Sequence, residues 1–156
     1  MNLLPLFEWC ENSGAGRFIR SSAYWFPAVE AFHLLALAVI GGAVLLVDLR
    51  LSGLLLTHQP QSRIGRDAEP WLVASLGVML VSGALLFASE AVKCYYNGAF
   101  WVKMVSLALA IAFTFTIRRK ASRSDSVTPA WGRIVAGISV LLWSLVGMGG
   151  RGIGFF

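Results

Sequence analysis

Four runs of apolar residues dominate the chain: Tyr24 to Val47, Trp71 to Ala88, Ala99 to Ile117 and Trp131 to Gly150. An α-helix rises 1.5 Å per residue, so about 20 residues cross the hydrocarbon core of a bilayer. Each run has that length, and each is bounded by charge or by proline. Asp48 and Arg50 follow the first, Pro70 and Glu90 flank the second, Arg118-Arg119-Lys120 ends the third, and Pro129 and Arg151 flank the fourth. The fold class is therefore an all-α, integral membrane four-helix bundle, formed by residues 1–156 as a single transmembrane domain. Aromatic residues open the runs (Tyr24, Trp25, Trp71, Phe100, Trp101 and Trp131), as side chains of an interfacial belt do.

Charge is scarce. Only 13% of the residues are Asp, Glu, Lys or Arg, about half the share that coats a soluble domain. This excludes a disordered chain, a disulfide scaffold and a soluble nucleic-acid binder. The basic excess of +5 instead orients the chain in lipid. Four spans put both termini on one side. The loop side carries Arg50, Arg63, Arg66, Arg118, Arg119, Lys120, Arg123 and Arg133; the terminal side carries Arg17, Arg20, Lys93, Lys103 and Arg151. The positive-inside rule then predicts both termini outside the cytoplasm, which is periplasmic if the membrane is a bacterial inner membrane. The first span is too long for a secretory signal and lacks a small-residue cleavage site, so no cleaved signal peptide is expected.

Shorter features punctuate this plan. Asn2 to Trp9 reads as an interfacial helix, and Ser13-Gly14-Ala15-Gly16 as a flexible turn. Pro70 and Pro129 suit the first turn of a helix, where no hydrogen bond is lost. The glycine-rich end, Gly147 to Gly154 with Arg151 in it, is expected to form a pliable mouth rather than a helix.

Ionisable residues inside a span are costly and mark function by default. Glu30 and His33 share one face of span one, and Lys103 lies near the start of span three. All three fall in the outer half of the bundle, where Glu30 or His33 is expected within reach of Lys103. The plainer alternative is a Glu30–Lys103 pair that fixes packing, with His33 bonded to a carbonyl. Met104 and Met148 lie at similar depth, and thioether with imidazole suits copper or haem iron; methionine is equally ordinary core filler. His58 is 25 residues from His33, roughly 37 Å along a continuous helix, and reads as a surface residue. Cys10 and Cys94 are both expected on the outer side, where a bridge is permitted if distance allows.

Several of these residues form a pattern: Phe26-Pro27-x-x-Glu30-x-x-His33-Leu34-Leu35, Gly41-Gly42, Asp48-Leu49-Arg50-Leu51, Trp101-Val102-Lys103 and Gly150-Arg151-Gly152-Ile153-Gly154-Phe155. It resembles a bacterial family of small four-helix membrane proteins of unknown function, over nearly the whole chain. More distantly, spans one and three are similar to the copper-resistance-D type domain and to the non-flavin protoporphyrinogen oxidase, which binds haem b. That likeness implies functional roles for a first-helix histidine and a third-helix lysine, here His33 and Lys103. The chain departs from the oxidase in lacking a second intramembrane histidine.

Two readings follow. In the first, the chain is a redox protein binding haem b through His33, with Met104, Met148 or nothing on the opposite face. Arg151, Arg17 or Arg20 would meet the propionates, Glu30 and Lys103 would stand nearby, and electrons would pass to or from a periplasmic carrier or a quinone. In the second it is a non-enzymatic membrane subunit or small transporter, in which Glu30, His33 and Lys103 fix packing or bind a substrate or metal ion such as copper. The expected partners are the lipid bilayer and a periplasmic electron-transfer or membrane protein; a second copy of the chain is an open option. Nucleic acid is not expected. No phosphate-binding glycine loop, nucleophile elbow or HExxH motif commits the chain to an enzyme class.

Overall fold

The computed structural model describes residues 3–153. In chain order the elements are α1 (Leu4–Glu11), α2 (Gly14–Ser21), α3 (Trp25–Leu51), α4 (Gln61–Ser89), α5 (Ala91–Tyr96), α6 (Gly98–Phe113), a π-helical turn (Thr114–Arg118), α7 (Arg119–Ser122) and α8 (Pro129–Ile153). Helices α3, α4, α6 continued through α7, and α8 are long and apolar enough to cross a membrane. The chain is an all-helical, multi-pass membrane protein.

Apolar residues repeating every three or four positions give each long helix one inward stripe. Ala36, Ile40, Val44, Val47 and Leu51 line it on α3; Ile64, Ala68, Leu72, Leu76 and Met79 on α4. Leu107 and Ala110 of α6 and Val135, Ala136, Trp143 and Val146 of α8 complete the core. The most extensive pairings are α3 with α4 and α6 with α8. The outward faces carry exposed Leu34, Leu35, Val81, Val105 and Leu141, as a lipid-facing surface does. Tyr24, Trp25, Trp101 and Trp131 are exposed near helix ends, and Trp71 is exposed well inside α4.

Several boundaries differ from those read in the sequence. Helix α4 starts at Gln61, so Pro70 lies inside it rather than in its first turn. The added turns are held because Ile64 and Ala68 continue the buried stripe and because Asp125 caps them. The Asp125 carboxylate accepts from Ser62 N at 2.9 Å and from Ser62 Oγ at 2.8 Å. These bonds hold the Asp125 carboxyl below its usual range. Pro129 does open its helix, α8.

The interfacial helix runs from Leu4 to Glu11; Asn2 lies outside the described residues. Gly14 to Gly16 is not a flexible turn but the start of α2, with Ser13 Oγ accepting from Gly16 N at 3.2 Å. Gly16 is required there because a Cβ would sit 2.3 Å from the carbonyl oxygen of Ala88. The glycine-rich end is likewise helical through Ile153. Close packing against α6 holds it, since Cβ atoms on Gly149 and Gly152 would meet Lys103 Cβ at 3.0 Å and Ala99 Cβ at 3.1 Å. Helices α1, α2 and α5 gather over the end of the bundle formed by the start of α3, the end of α4, the start of α6 and the end of α8. This is the cap end.

Candidate functional site

His33 lies on α3, two turns in from the cap end. Its flank against α4 is set by two small residues on that helix. Ser82 Oγ lies 2.7 Å from the carbonyl oxygen of Val78 and donates its hydroxyl hydrogen there, as serines do within helices. With that hydrogen committed, Ser82 accepts from His33 Nδ1 at 2.9 Å. The next residue, Gly83, gives the ring its room, for a Cβ there would stand 3.2 Å from His33 Cε1. The consequence is chemical: a neutral imidazole carries one proton, and with Nδ1 protonated the lone pair is on Nε2. A shallow groove of about 460 Å³ opens on the outer face of the α3–α4 seam, walled by Val29, Phe32, Val78, Val81 and Leu85; Ser82 borders it, and His33 is not one of its walls.

Lys103 reaches the same half of the bundle from α6. Its stem crosses the α8 backbone, with Nζ 3.3 Å from where a Gly150 Cβ would be. The Lys103 charge acts on His33. The expected ion pair with Glu30 is absent among the described residues: Glu30 is exposed on α3, and the ion pairs there are made by Glu11, Asp48, Asp67, Glu69 and Glu90. Residues three apart on a helix differ by about 60° in direction. That suffices to put His33 in the α3–α4 seam and Glu30 outside it.

Met104 and Met148 lie on outward faces, 42% and 72% exposed. Arg151 is exposed near the end of α8, and His58 is exposed in the turn between α3 and α4. Among the described residues no three His, Cys, Asp or Glu side chains cluster in a way that could hold a metal ion. Cys10 and Cys94 are not bridged in the structure and pack into one cluster at the cap end.

A second polar station stands at the opposite end of the bundle, on residues that read in the sequence as span ends. Arg118 Nε donates to Asp48 Oδ1 at 2.8 Å, and Arg118 Nη2 donates to the carbonyl of Val44 at 3.0 Å. The side chains are 5% and 1% exposed. Arg118 closes the π-helical turn, and such turns often mark functional positions. In the same turn, buried Thr114 accepts from Trp143 Nε1 at 3.1 Å. Ser139 of α8 neighbours Asp48. Between the two stations lies an apolar layer of Ile40, Leu76, Met79, Leu107 and Val146.

The fold and these two stations define a class: a polytopic four-helix membrane protein with polar side chains turned into its seams. Residues 6–156 match a family of unknown function, DUF6644, and the chain belongs to that family. No curated protein and no solved structure matches the chain.

Proposed function

We propose that this chain is a membrane redox protein that binds haem b through His33 Nε2, exchanging electrons with a periplasmic or quinone partner. One observation carries the reading: Ser82 Oγ lies 2.9 Å from His33 Nδ1 and 2.7 Å from the Val78 carbonyl, an arrangement that favours the tautomer with its proton on Nδ1 and the lone pair on Nε2. A ligating histidine is typically held in this way, its other ring nitrogen bonded to a fixed acceptor. The residues present fit the group. An imidazole at membrane depth, a glycine against its ring and apolar walls nearby are what a flat hydrophobic ligand needs. Bound there, the iron would supply one-electron chemistry.

The protein's contribution is to orient and to exclude water. Ser82 fixes the ring and its tautomer. Phe32, Val78 and Leu85 keep the groove apolar. Lys103, in the same half of the bundle, places a positive charge that acts on His33 and would suit a carboxylate of the ligand. Met104 and Met148 face outward, which leaves His33 as the residue that would hold the group. Copper is the weaker choice, because neither methionine faces the imidazole seam.

The second reading, a small transporter or non-enzymatic subunit, is favoured by one observation: the buried Asp48–Arg118 pair. Asp48 is fifteen residues from His33 on α3, about 22 Å along the helix. Two polar stations separated by an apolar layer are an arrangement that transport can use.

A visible spectrum separates the two. Protein expressed with haem supplied should show a Soret band that His33→Ala removes and His58→Ala retains, with each variant still reaching the membrane. A colourless wild type would sink the haem reading and leave transport or packing.

A further inference from the structure

We propose that Cys10 and Cys94 form a disulfide that staples α1 to α5 over the cap end. The helix faces carry the argument. Phe7 and Cys10 are three apart on α1, and Ala91 and Cys94 three apart on α5, so each pair shares a face. All four residues pack in one cluster with Phe87, Tyr95 and Phe100. Two contacts fix the register. The Phe7 ring lies 5.2 Å from that of Tyr95, and Glu11 Oε2 accepts from Val92 N at 2.7 Å. Residue 7 thus meets residue 95 and residue 11 meets residue 92. Cys10 falls inside this span on one helix and Cys94 inside it on the other. The Glu11 charge also acts on Cys94.

The charge distribution supplies the compartment. The cap end carries Arg17, Arg20, Lys93, Lys103 and Arg151, against eight basic residues at the other end. The positive-inside rule places the sparser end outside the cytoplasm, where disulfides form and persist.

The chemistry balances with an external protein disulfide as oxidant. Cys10, the more exposed thiol, loses its proton and attacks the oxidant's disulfide, forming a mixed disulfide and releasing one oxidant thiolate. Cys94, deprotonated in turn, attacks the Cys10 sulfur, closing the Cys10–Cys94 bond and releasing the second thiolate. Two thiols are oxidised, one oxidant disulfide is reduced, and two protons leave. Burial and the nearby Glu90 push the Cys94 thiol up to about 11. Closure therefore quickens as pH rises.

The test uses the full chain in cells. Membranes are quenched in acid, free thiols are alkylated, and the intact mass is read before and after reduction. The expected wild-type chain carries no label and is lighter by two hydrogens. After reduction it takes two labels, and Cys10→Ser takes one label without reduction, at Cys94. Two labels on unreduced wild type, or a reductant-sensitive dimer joined through either cysteine, would overturn the proposal. Cys94→Ser gives the same reading from the other side should Cys10→Ser fold poorly.

Discussion

Arg118 and Asp48 are seventy positions apart in the chain and form a buried ion pair at 2.8 Å, the guanidinium also bonded to the Val44 carbonyl. Removing one partner of such a pair strands the other charge, which costs about 3–5 kcal/mol. Replacing both with apolar residues of similar volume is often close to neutral. Arg118→Leu and Asp48→Leu should each lower stability by about that amount, and the double variant should recover most of the loss. Reversible unfolding in detergent measures it. Additive losses would show that the pair is not coupled.

The four spans are legible in the sequence because lipid demands long apolar helices, and twenty-residue runs have few other uses. Their ends are less legible. Helix α4 begins at Gln61 because Ile64 and Ala68 pack inward while Arg63, Arg66 and Asp67 remain in water, a pattern that hydropathy alone reads as loop. The inward position of Lys103 follows from the cost of charge in lipid. The outward turn of Glu30 does not, since a 60° difference between neighbours is settled by which helix packs alongside. Asp48 and Arg118 each terminate an apolar run, so they read as boundary charges. Only the pairing of α3 with the π-helical turn reveals them as partners. A signal was present in the Asp48-Leu49-Arg50-Leu51 stretch, where an acid precedes the basic residue expected at a membrane boundary.

The glycines divide into those that are required and those that are not. A Cβ on Gly16 or Gly132 would lie 2.3 Å from a backbone oxygen, that of Ala88 or Leu51 respectively. Backbone cannot swing aside as a side chain can, so Gly16→Ala and Gly132→Ala should each destabilise by about 1–3 kcal/mol. Gly77 and Gly137 have nothing within 4 Å, and alanine there should be neutral or slightly stabilising. Thermal midpoints of the four variants would test the division. Equal midpoints for Gly16→Ala and Gly77→Ala would contradict the packing of α2 on α4.

Asp125 caps the start of α4 through both the backbone and the hydroxyl of Ser62. Those bonds favour the carboxylate and hold the carboxyl below its usual value. A carboxyl depressed in the folded state stabilises the fold above its unfolded pKa, and that stability is lost as pH falls through the folded value. Asp125→Asn should therefore lower stability at neutral pH and narrow its gap from wild type as the solution is acidified below about pH 4. A gap independent of pH would assign the effect to packing rather than to the carboxylate.

The last prediction separates the orientation of His33 from its mere presence. Ser82→Ala removes the acceptor of the Nδ1 proton without touching Nε2, so the imidazole keeps its ligating atom but loses its fixed tautomer and ring angle. Loss of such a supporting bond typically weakens metal affinity by about 10–100-fold. In the haem reading, Ser82→Ala should still show a Soret band at saturating haem, with affinity reduced by about that factor, whereas His33→Ala shows none at any concentration. Ser82→Thr should restore most of the affinity, because a threonine hydroxyl can also donate to the carbonyl four residues back and accept from the ring. Haem titration of the purified variants measures all three. A Ser82→Ala affinity equal to wild type would mean that the Ser82–His33 bond serves the packing of α3 on α4 alone.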